Sequence, residues 1–155
     1  MFHTAGVHPH DAAGFDAVRD IPAIRREIEL GAVAIGECGL DYHYDHSPRD
    51  RQLAAFEGQL GLARETGRPV VVHTRVAEPD TVAMVRAAGR DGVRGVMHCF
   101  TGSHQLAAVA LDAGWFISFS GIVTFRKWDD LELLRLVPSD RLLVESDAPY
   151  LAPVP

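Results

Sequence analysis

The chain has 155 residues, of which 47% are hydrophobic and 23% are charged, and this composition excludes a disordered protein. Its net charge of −6 argues against a protein that grips nucleic acid with a broad basic face, but not against a nucleic-acid enzyme whose metal ions face the phosphates. No apolar run reaches about 18 residues and no secretory signal is visible, so we expect a cytoplasmic protein without a membrane partner.

Short apolar runs of strand length recur along the chain, and most are continuous, which is typical of parallel strands covered on both faces. They occupy residues 4–7, 32–36, 69–72, 93–97, 115–119 and 142–144. Apolar residues at helical spacing lie between the runs; these stripes comprise Ile21, Ile24 and Ile28, then Leu53, Phe56 and Leu60, then Val82 and Val85, then Leu106, Val109 and Ala110, then Leu131, Leu134 and Val137. The alternation predicts a parallel α/β fold, either an open doubly wound sheet or part of a (β/α)8 barrel.

Histidines and acidic residues follow the predicted strands where these end. Glu37 follows the second strand and His73 the third, whereas His98 follows the fourth and Asp147 the sixth. Parallel strands place their carboxyl ends on one rim of the sheet, and the intervals between these residues fit whole strand–helix units. Two imidazoles and two carboxylates form a ligand set for a catalytic divalent metal ion, which activates water and polarises an ester or phosphoryl group.

Several further polar residues have two interpretations each. The segment His8-Pro9-His10 is either a turn or a phosphate or substrate contact. Arg75 either pairs with a phosphate oxygen or forms a structural ion pair, and Tyr42 either packs or stacks on a base. The other histidines are expected in loops or on the surface; they are His3, His43, His46 and His104.

Five segments resemble successive motifs of the TatD family and together cover the chain in order. They are residues 5–10 (AGVHPH), 34–42 (AIGECGLDY), 69–75 (PVVVHTR), 98–103 (HCFTGS) and 145–153 (ESDAPYLAP). The resemblance implies a TIM-barrel fold and a metal-dependent hydrolase. It also implies DNA as the substrate, since the best-known activity of the family is DNA hydrolysis, with exonuclease action on single strands.

The same resemblance implies a role for each matching residue. Glu37 is expected to bridge two divalent metal ions, with His73 and His98 binding the second ion and Asp147 the first. Asp147 is also expected to orient or deprotonate the attacking water, so Glu37 and Asp147 are the predicted catalytic residues. His8, Arg75 and Tyr42 are expected near the substrate. The ligand set does not distinguish among magnesium, manganese and zinc.

The chain also departs from the family pattern at both ends. No His-x-His precedes residues 5–10, and the sequence stops at Pro155. We therefore expect residues 1–155 to form a single partial TatD-like barrel domain with about six of the eight strand–helix units. Open barrel edges are expected to allow self-association. The alternatives to a deoxyribonuclease are a related amidohydrolase, an aminoacyl-ester deacylase, or a catalytically impaired chain that lacks part of the two-metal site.

Overall fold

The computed structural model describes residues 1–154, which contain one sheet of six strands. The strands are β1 (Thr4–Ala5), β2 (Ala34–Asp41), β3 (Val70–Arg75), β4 (Gly95–Met97), β5 (Phe116–Phe119) and β6 (Leu142–Val144). All neighbours pair in parallel and the strand order follows the chain order. This order lacks the reversal of a doubly wound sheet, and the sheet is open. The prediction of an α/β fold with an incomplete barrel is therefore confirmed.

Five helices cross between the strands, each at a predicted stripe. They are α1 (Ala17–Glu29), α2 (Arg49–Thr66), α3 (Glu78–Arg90), α4 (His104–Asp112) and α5 (Leu131–Leu136). Two short 3-10 helices at Pro9–Gly14 and Gly121–Thr124 were not predicted. None of the helices in residues 1–154 has the length and hydrophobicity that a bilayer crossing requires. The cytoplasmic location stays a prediction.

The core forms where apolar strand residues meet the inner faces of the helices. Its largest fully buried side chains are Trp115, Phe56 and Phe100. The indole Nε1 of Trp115 donates a hydrogen bond to the carbonyl oxygen of Val93 (2.7 Å), so this buried polar group is satisfied. Strand β6 forms one edge of the sheet, where Val144 is largely exposed. Self-association through such an edge stays a prediction.

Strand β2 contains an irregularity at the point where it presents Glu37. Its register with β3 shifts by one residue between Ile35, opposite Val70, and Cys38, opposite Val72. All residues of β2 are buried except Glu37, which is half-buried. The sequence prediction that Glu37 and His73 follow their strands is wrong, because β2 and β3 extend beyond them. The reason is that the extra residue in β2 turns Glu37 out of the core without ending the strand.

Two buried glutamines of α2 fix the segments that carry the polar residues. Gln59 accepts a hydrogen bond from the backbone N–H of Val7 (2.8 Å) and donates to the carbonyl of the same residue (3.1 Å). Gln52 accepts from the backbone N–H of Asp41 (2.8 Å) and donates to the carbonyl of Ser47 (2.8 Å). The chain after β1 and the loop after β2 are therefore tied to one helix.

Candidate metal centre

The predicted ligands lie towards the carboxyl-terminal rim of the sheet, each on or after a different strand. Nε2 of His98 is 2.8 Å from Oε1 of Glu37 and 3.5 Å from Oδ1 of Asp147. Glu37 is on β2, His98 directly follows β4, and Asp147 follows β6. The structure thus brings together residues that are 110 positions apart in the chain, from Glu37 to Asp147.

His8 and His73 complete the cluster around Glu37. Nε2 of His8 is 3.2 Å from Oε2 of Glu37, and the possible ligand atoms of His8, Glu37 and His73 all lie within 4.8 Å of one another. His8 was expected near the substrate, but the structure places it among the predicted ligands. The hydrogen bonds between Gln59 and Val7 explain this placement, because they hold the residue next to His8.

The pKa values of Glu37 and His98 show how the charged groups of the centre influence one another. Burial raises the pKa of Glu37, but the imidazoles of His8 and His98 outweigh it and hold that pKa well below its usual range. Burial likewise lowers the pKa of His98, while hydrogen bonds with Glu145 and Glu37 outweigh it and raise the pKa to about 10. The carboxylates around His98 thus favour a positive charge at this position.

Two further carboxylates contact the predicted histidine ligands and were missed as site residues. Glu145 lies 2.5 Å from Nδ1 of His98, and Asp41 lies 3.0 Å from Nε2 of His73. Glu145 thus engages Nδ1 of His98 and leaves Nε2 for the centre, whereas Asp41 forms a second group with His10 and His73, whose possible ligand atoms all lie within 4.8 Å of one another. In the sequence, both residues lie among the polar residues that follow predicted strands. Their location near the site was therefore predictable, but their contacts with the histidines were not.

Asp41 is fully buried and is surrounded by hydrogen-bond donors. Its Oδ1 accepts from the backbone N–H groups of His43 and Tyr44, both at 2.9 Å, and its Oδ2 is 2.9 Å from Nε2 of His10. These contacts hold the pKa of Asp41 well below its usual range although burial raises it. Burial lowers the pKa of His73 despite the bond to Asp41, which favours the neutral imidazole that metal ions bind.

A cavity of about 820 Å³ opens over the centre, and the remaining predicted residues differ in whether they line it. Arg75 lines it, with an exposed guanidinium. Tyr42 does not line it: the Tyr42 hydroxyl donates to Asp80 (2.7 Å) and the guanidinium of Arg49 covers its ring at 4.3 Å. The structure therefore favours packing over base stacking for Tyr42. Tyr44 and His46 line the cavity instead, although neither was predicted as a site residue.

The donor set fits a divalent metal ion. Three carboxylates, those of Glu37, Asp147 and Glu145, lie within 3.5 Å of the His98 ring, and the imidazoles of His8 and His73 lie beside Glu37. Carboxylate oxygens and imidazole nitrogens from separate strand ends are the ligands of catalytic metal sites in proteins. The arrangement therefore has the composition of a metal centre, and Glu145 is an outer carboxylate of the kind that orients a histidine ligand, here His98.

The fold and this centre define a class, namely barrel-type α/β proteins with a metal-binding cluster at the carboxyl ends of parallel strands. Within this class, the chain belongs to the TatD family, because the sequence model described as TatD related DNase matches residues 1–155. The resemblance found in the five sequence motifs is thereby confirmed.

Relatives and solved structures agree with this assignment. The uncharacterized metal-dependent hydrolase YcfH of Escherichia coli K12 is 47% identical over 153 residues, covering 98% of this chain and 57% of the relative. A protein of Rahnella sp. strain Y9602, named 3'-5' ssDNA/RNA exonuclease TatD, is 44% identical over 154 residues, covering 97% of this chain and 58% of the relative. The crystal structure of YjjV, a TatD homologue from Escherichia coli K12, has a TM-score of 0.86 at 26% identity, covering 99% of this chain and 60% of that one. The chain thus spans less than two thirds of these proteins.

Proposed function

We propose that this chain carries the metal centre of a hydrolase that cleaves phosphodiester bonds in DNA. The observation that supports this most directly is the approach of His98 to both Glu37 (2.8 Å) and Asp147 (3.5 Å) inside one large cavity. Nucleic acid as the substrate is supported by the description of the family as TatD related DNase and by the exonuclease name of the Rahnella relative.

The residues proposed to hold metal are Glu37, His73, His98 and Asp147, with Glu37 as the bridging ligand if two ions bind. When bound, divalent ions supply Lewis-acid polarisation of the phosphoryl group and activation of water. Carboxylates suit magnesium and manganese, and the imidazoles also suit zinc. His8, at 3.2 Å from Glu37, is a further donor of the same cluster.

The chain's own side chains supply the remaining chemistry. Glu37 stays ionised across the physiological range because its pKa lies far below its usual value. The Asp147 side chain is 37% exposed, which supports a role in orienting and deprotonating the attacking water. The exposure of Arg75 at the cavity wall supports pairing with a phosphate oxygen of the substrate.

The test is hydrolysis of a labelled single-stranded oligonucleotide by the purified chain, with Mg²⁺, Mn²⁺ or Zn²⁺ and with a chelator. We expect cleavage that requires metal and that is lost in Glu37→Gln, which keeps the size of the side chain but removes its charge. His104→Asn is the matched control. His104 is an exposed residue at the start of α4, where it pairs with Asp130, and it does not line the cavity.

Two results would overturn the proposal. Cleavage that persists in Glu37→Gln would remove the metal centre from the reaction. Metal-dependent hydrolysis of an aminoacyl ester or an amide, with oligonucleotides left intact, would assign the centre to an amidohydrolase or deacylase, since the ligands define the ion and not the scissile bond.

A further inference from the structure

A second group of metal-ligating side chains lies beside the proposed metal centre at Glu37. It consists of His10, Asp41 and His73, whose possible ligand atoms all lie within 4.8 Å of one another. Nε2 of His10 and Nε2 of His73 approach the same carboxylate oxygen, Oδ2 of Asp41, at 2.9 and 3.0 Å. We call these three residues the His10 triad and the proposed site around Glu37 the Glu37 centre. The two share His73, whereas the Glu37 and Asp147 carboxylates belong to the centre alone.

The carboxylate of Asp41 presents one oxygen to both imidazoles. Its side chain is fully buried, and its Oδ1 accepts hydrogen bonds from the backbone N–H groups of His43 and Tyr44, both at 2.9 Å. Oδ2 is thus the oxygen that remains for the rings of His10 and His73. The donor set of the triad is therefore two imidazole nitrogens and one carboxylate oxygen.

Buried hydrogen bonds fix the backbone that carries the triad. The hydroxyl of Ser47 donates to the carbonyl of His10 (2.7 Å) and accepts from the backbone N–H of Ala13 (2.9 Å). The amide of Gln52 accepts from the backbone N–H of Asp41 and donates to the carbonyl of Ser47, both at 2.8 Å. The two segments that supply His10 and Asp41 are thus joined before an ion arrives, which is the support that a metal site requires.

The dimensions of the triad fit a small transition metal ion. Zinc binds nitrogen and oxygen ligands at about 2.0–2.2 Å, so a tetrahedral ion separates its ligand atoms by roughly 3.4 Å. The two Nε2–Oδ2 distances are shorter than this by only about 0.4 Å, as expected where hydrogen bonds stand in for the ion. His10 and His73 line the cavity with side chains 30% and 22% exposed, so a small outward movement of the rings admits an ion.

We propose that the His10 triad binds a zinc-type transition metal ion at a site separate from the Glu37 centre. Two imidazoles and one carboxylate, with a fourth position open to water, form a ligand set that zinc uses in proteins. Magnesium and calcium prefer oxygen ligands, which the triad supplies only once. The inference goes beyond the proposed function, because it assigns an ion that does not need Glu37 and does not depend on hydrolysis.

His73 makes the two sites interdependent. A neutral imidazole has one nitrogen with a free lone pair, since the other nitrogen carries the hydrogen, and so it binds one ion at a time. An ion in the triad therefore leaves the Glu37 centre with Glu37, His98 and Asp147. For this reason the test disables the Glu37 centre through ligands other than His73.

The test is zinc binding by a chain that retains only the triad. Glu37→Gln/His98→Asn removes a carboxylate and an imidazole of the Glu37 centre and keeps His10, Asp41 and His73. The metal-free protein is titrated with Zn²⁺ against a chromophoric chelator, in excess Mg²⁺. We expect one zinc ion per chain in this background. Adding His10→Asn should weaken its binding at least about tenfold, because the triad loses one of its three ligands.

His46→Asn is the matched control in the same background. The ring of His46 contacts that of His10, with centroids 4.8 Å apart, and lines the same cavity, but it is not part of the triad. We expect this variant to keep the zinc affinity of the background. Circular dichroism and thermal melting verify that each variant is folded.

NMR of the wild-type chain with isotope-labelled histidine gives a second readout that does not depend on the folding of the double variant. Saturating Zn²⁺ should shift the Nε2 resonances of His10 and His73, which are assigned by their loss in His10→Asn and His73→Asn. His10 is not a ligand of the Glu37 centre, so a shift of its Nε2 reports on the triad.

Four results would overturn the proposal. The double variant binds no zinc, His10→Asn leaves its affinity unchanged, or zinc leaves the Nε2 resonance of His10 in place. A loss in His46→Asn as large as that in His10→Asn would instead assign the ion to an exposed imidazole. The hydrolysis assay with Glu37→Gln reports on the proposed function separately, because that substitution leaves the triad intact.

Discussion

Glu145 lies 2.5 Å from Nδ1 of His98, and Glu37 lies 2.8 Å from Nε2 of the same ring. The imidazole is thus held between two carboxylates, one inside the proposed metal centre and one behind it. Glu145 also accepts a hydrogen bond from the backbone N–H of Cys99 (2.5 Å), so its own position is fixed. Such outer carboxylates orient histidine ligands and increase their basicity.

Removal of Glu145 is expected to weaken metal binding although all four proposed metal ligands are kept. We expect Glu145→Ala to bind Mn²⁺ about 10- to 100-fold more weakly than the wild type, the usual effect of losing such a partner. Glu145→Gln should lose less, because its amide oxygen still accepts the ring N–H. Calorimetric titration measures both, and unchanged affinity in Glu145→Ala would show that Glu145 does not act on the centre.

Asp41 is expected to matter for folding as well as for the site. Asp41→Ala leaves two backbone N–H groups and two imidazoles without their buried acceptor, which should lower the free energy of unfolding by on the order of 3 kcal/mol. Urea denaturation measures this loss. Asp112→Ala, at an exposed position of α4, should change it by no more than about 0.5 kcal/mol. Equal effects of the two substitutions would refute the structural role of Asp41.

Tyr42 provides a pH-dependent test of the packing found in place of base stacking. Burial and the hydrogen bond to Asp80 raise the pKa of Tyr42 above its usual value, so folding favours the protonated phenol. The stability it contributes is present below the unfolded-state value of about 10 and is lost as the pH rises through the folded pKa.

Ultraviolet titration of tyrosinate should show this step in the wild type and not in Tyr42→Phe. Asp80→Asn should move the step to lower pH, because it removes the negative charge that opposes ionisation. A Tyr42 step at the usual value in the wild type would mean that the phenol is open to solvent.

Gly39 is expected to be irreplaceable at the junction between β2 and β3. Its φ is +129°, and a Cβ there would lie 2.0 Å from the carbonyl oxygen of His73. Gly39→Ala should therefore separate the two strands that carry Glu37 and His73 and prevent cooperative folding. Thermal melting by circular dichroism tests this.

Gly61→Ala is the matched control for that substitution. Gly61 lies within α2, and a Cβ there would meet no heavy atom within 4 Å outside the local helix backbone, so alanine should stabilise the protein by about 0.5–1 kcal/mol. A Gly39→Ala protein that melts like the wild type would contradict the close approach of the two strands.

Local patterns in the sequence were sufficient for most of the fold. Each continuous apolar run became a strand, and Ile24, Ile28 and Phe56 are buried as their helical stripes predicted. The extent of β2 was not predictable in this way, because its irregularity is a register relation with β3 and no local pattern encodes it. Glu37 is the one residue of β2 that is not buried, and the continuous pattern of the strand does not predict this.

Strand order alone was sufficient to predict part of the site. Glu37, His98 and Asp147 meet because the carboxyl ends of sequential parallel strands lie on one rim of the sheet. The packing of Tyr42 was not predictable from local sequence, because its hydroxyl bonds to Asp80, a half-buried residue 38 positions later. The pairing of Asp41 with His73 depends on the register of β2 and β3, which places Asp41 two residues beyond the partner of His73.

The measurement that tests the central claim most directly is calorimetric titration of the metal-free chain with Mn²⁺, in the wild type and in Glu37→Gln. Mn²⁺ is the better probe because it prefers carboxylate oxygens, whereas zinc also binds exposed imidazoles such as that of His46. We predict binding in the wild type and in His104→Asn, and at least about tenfold weaker binding in Glu37→Gln, which loses a charged ligand. A wild type that binds no Mn²⁺, or a Glu37→Gln protein that binds it as tightly, would contradict a metal centre at Glu37.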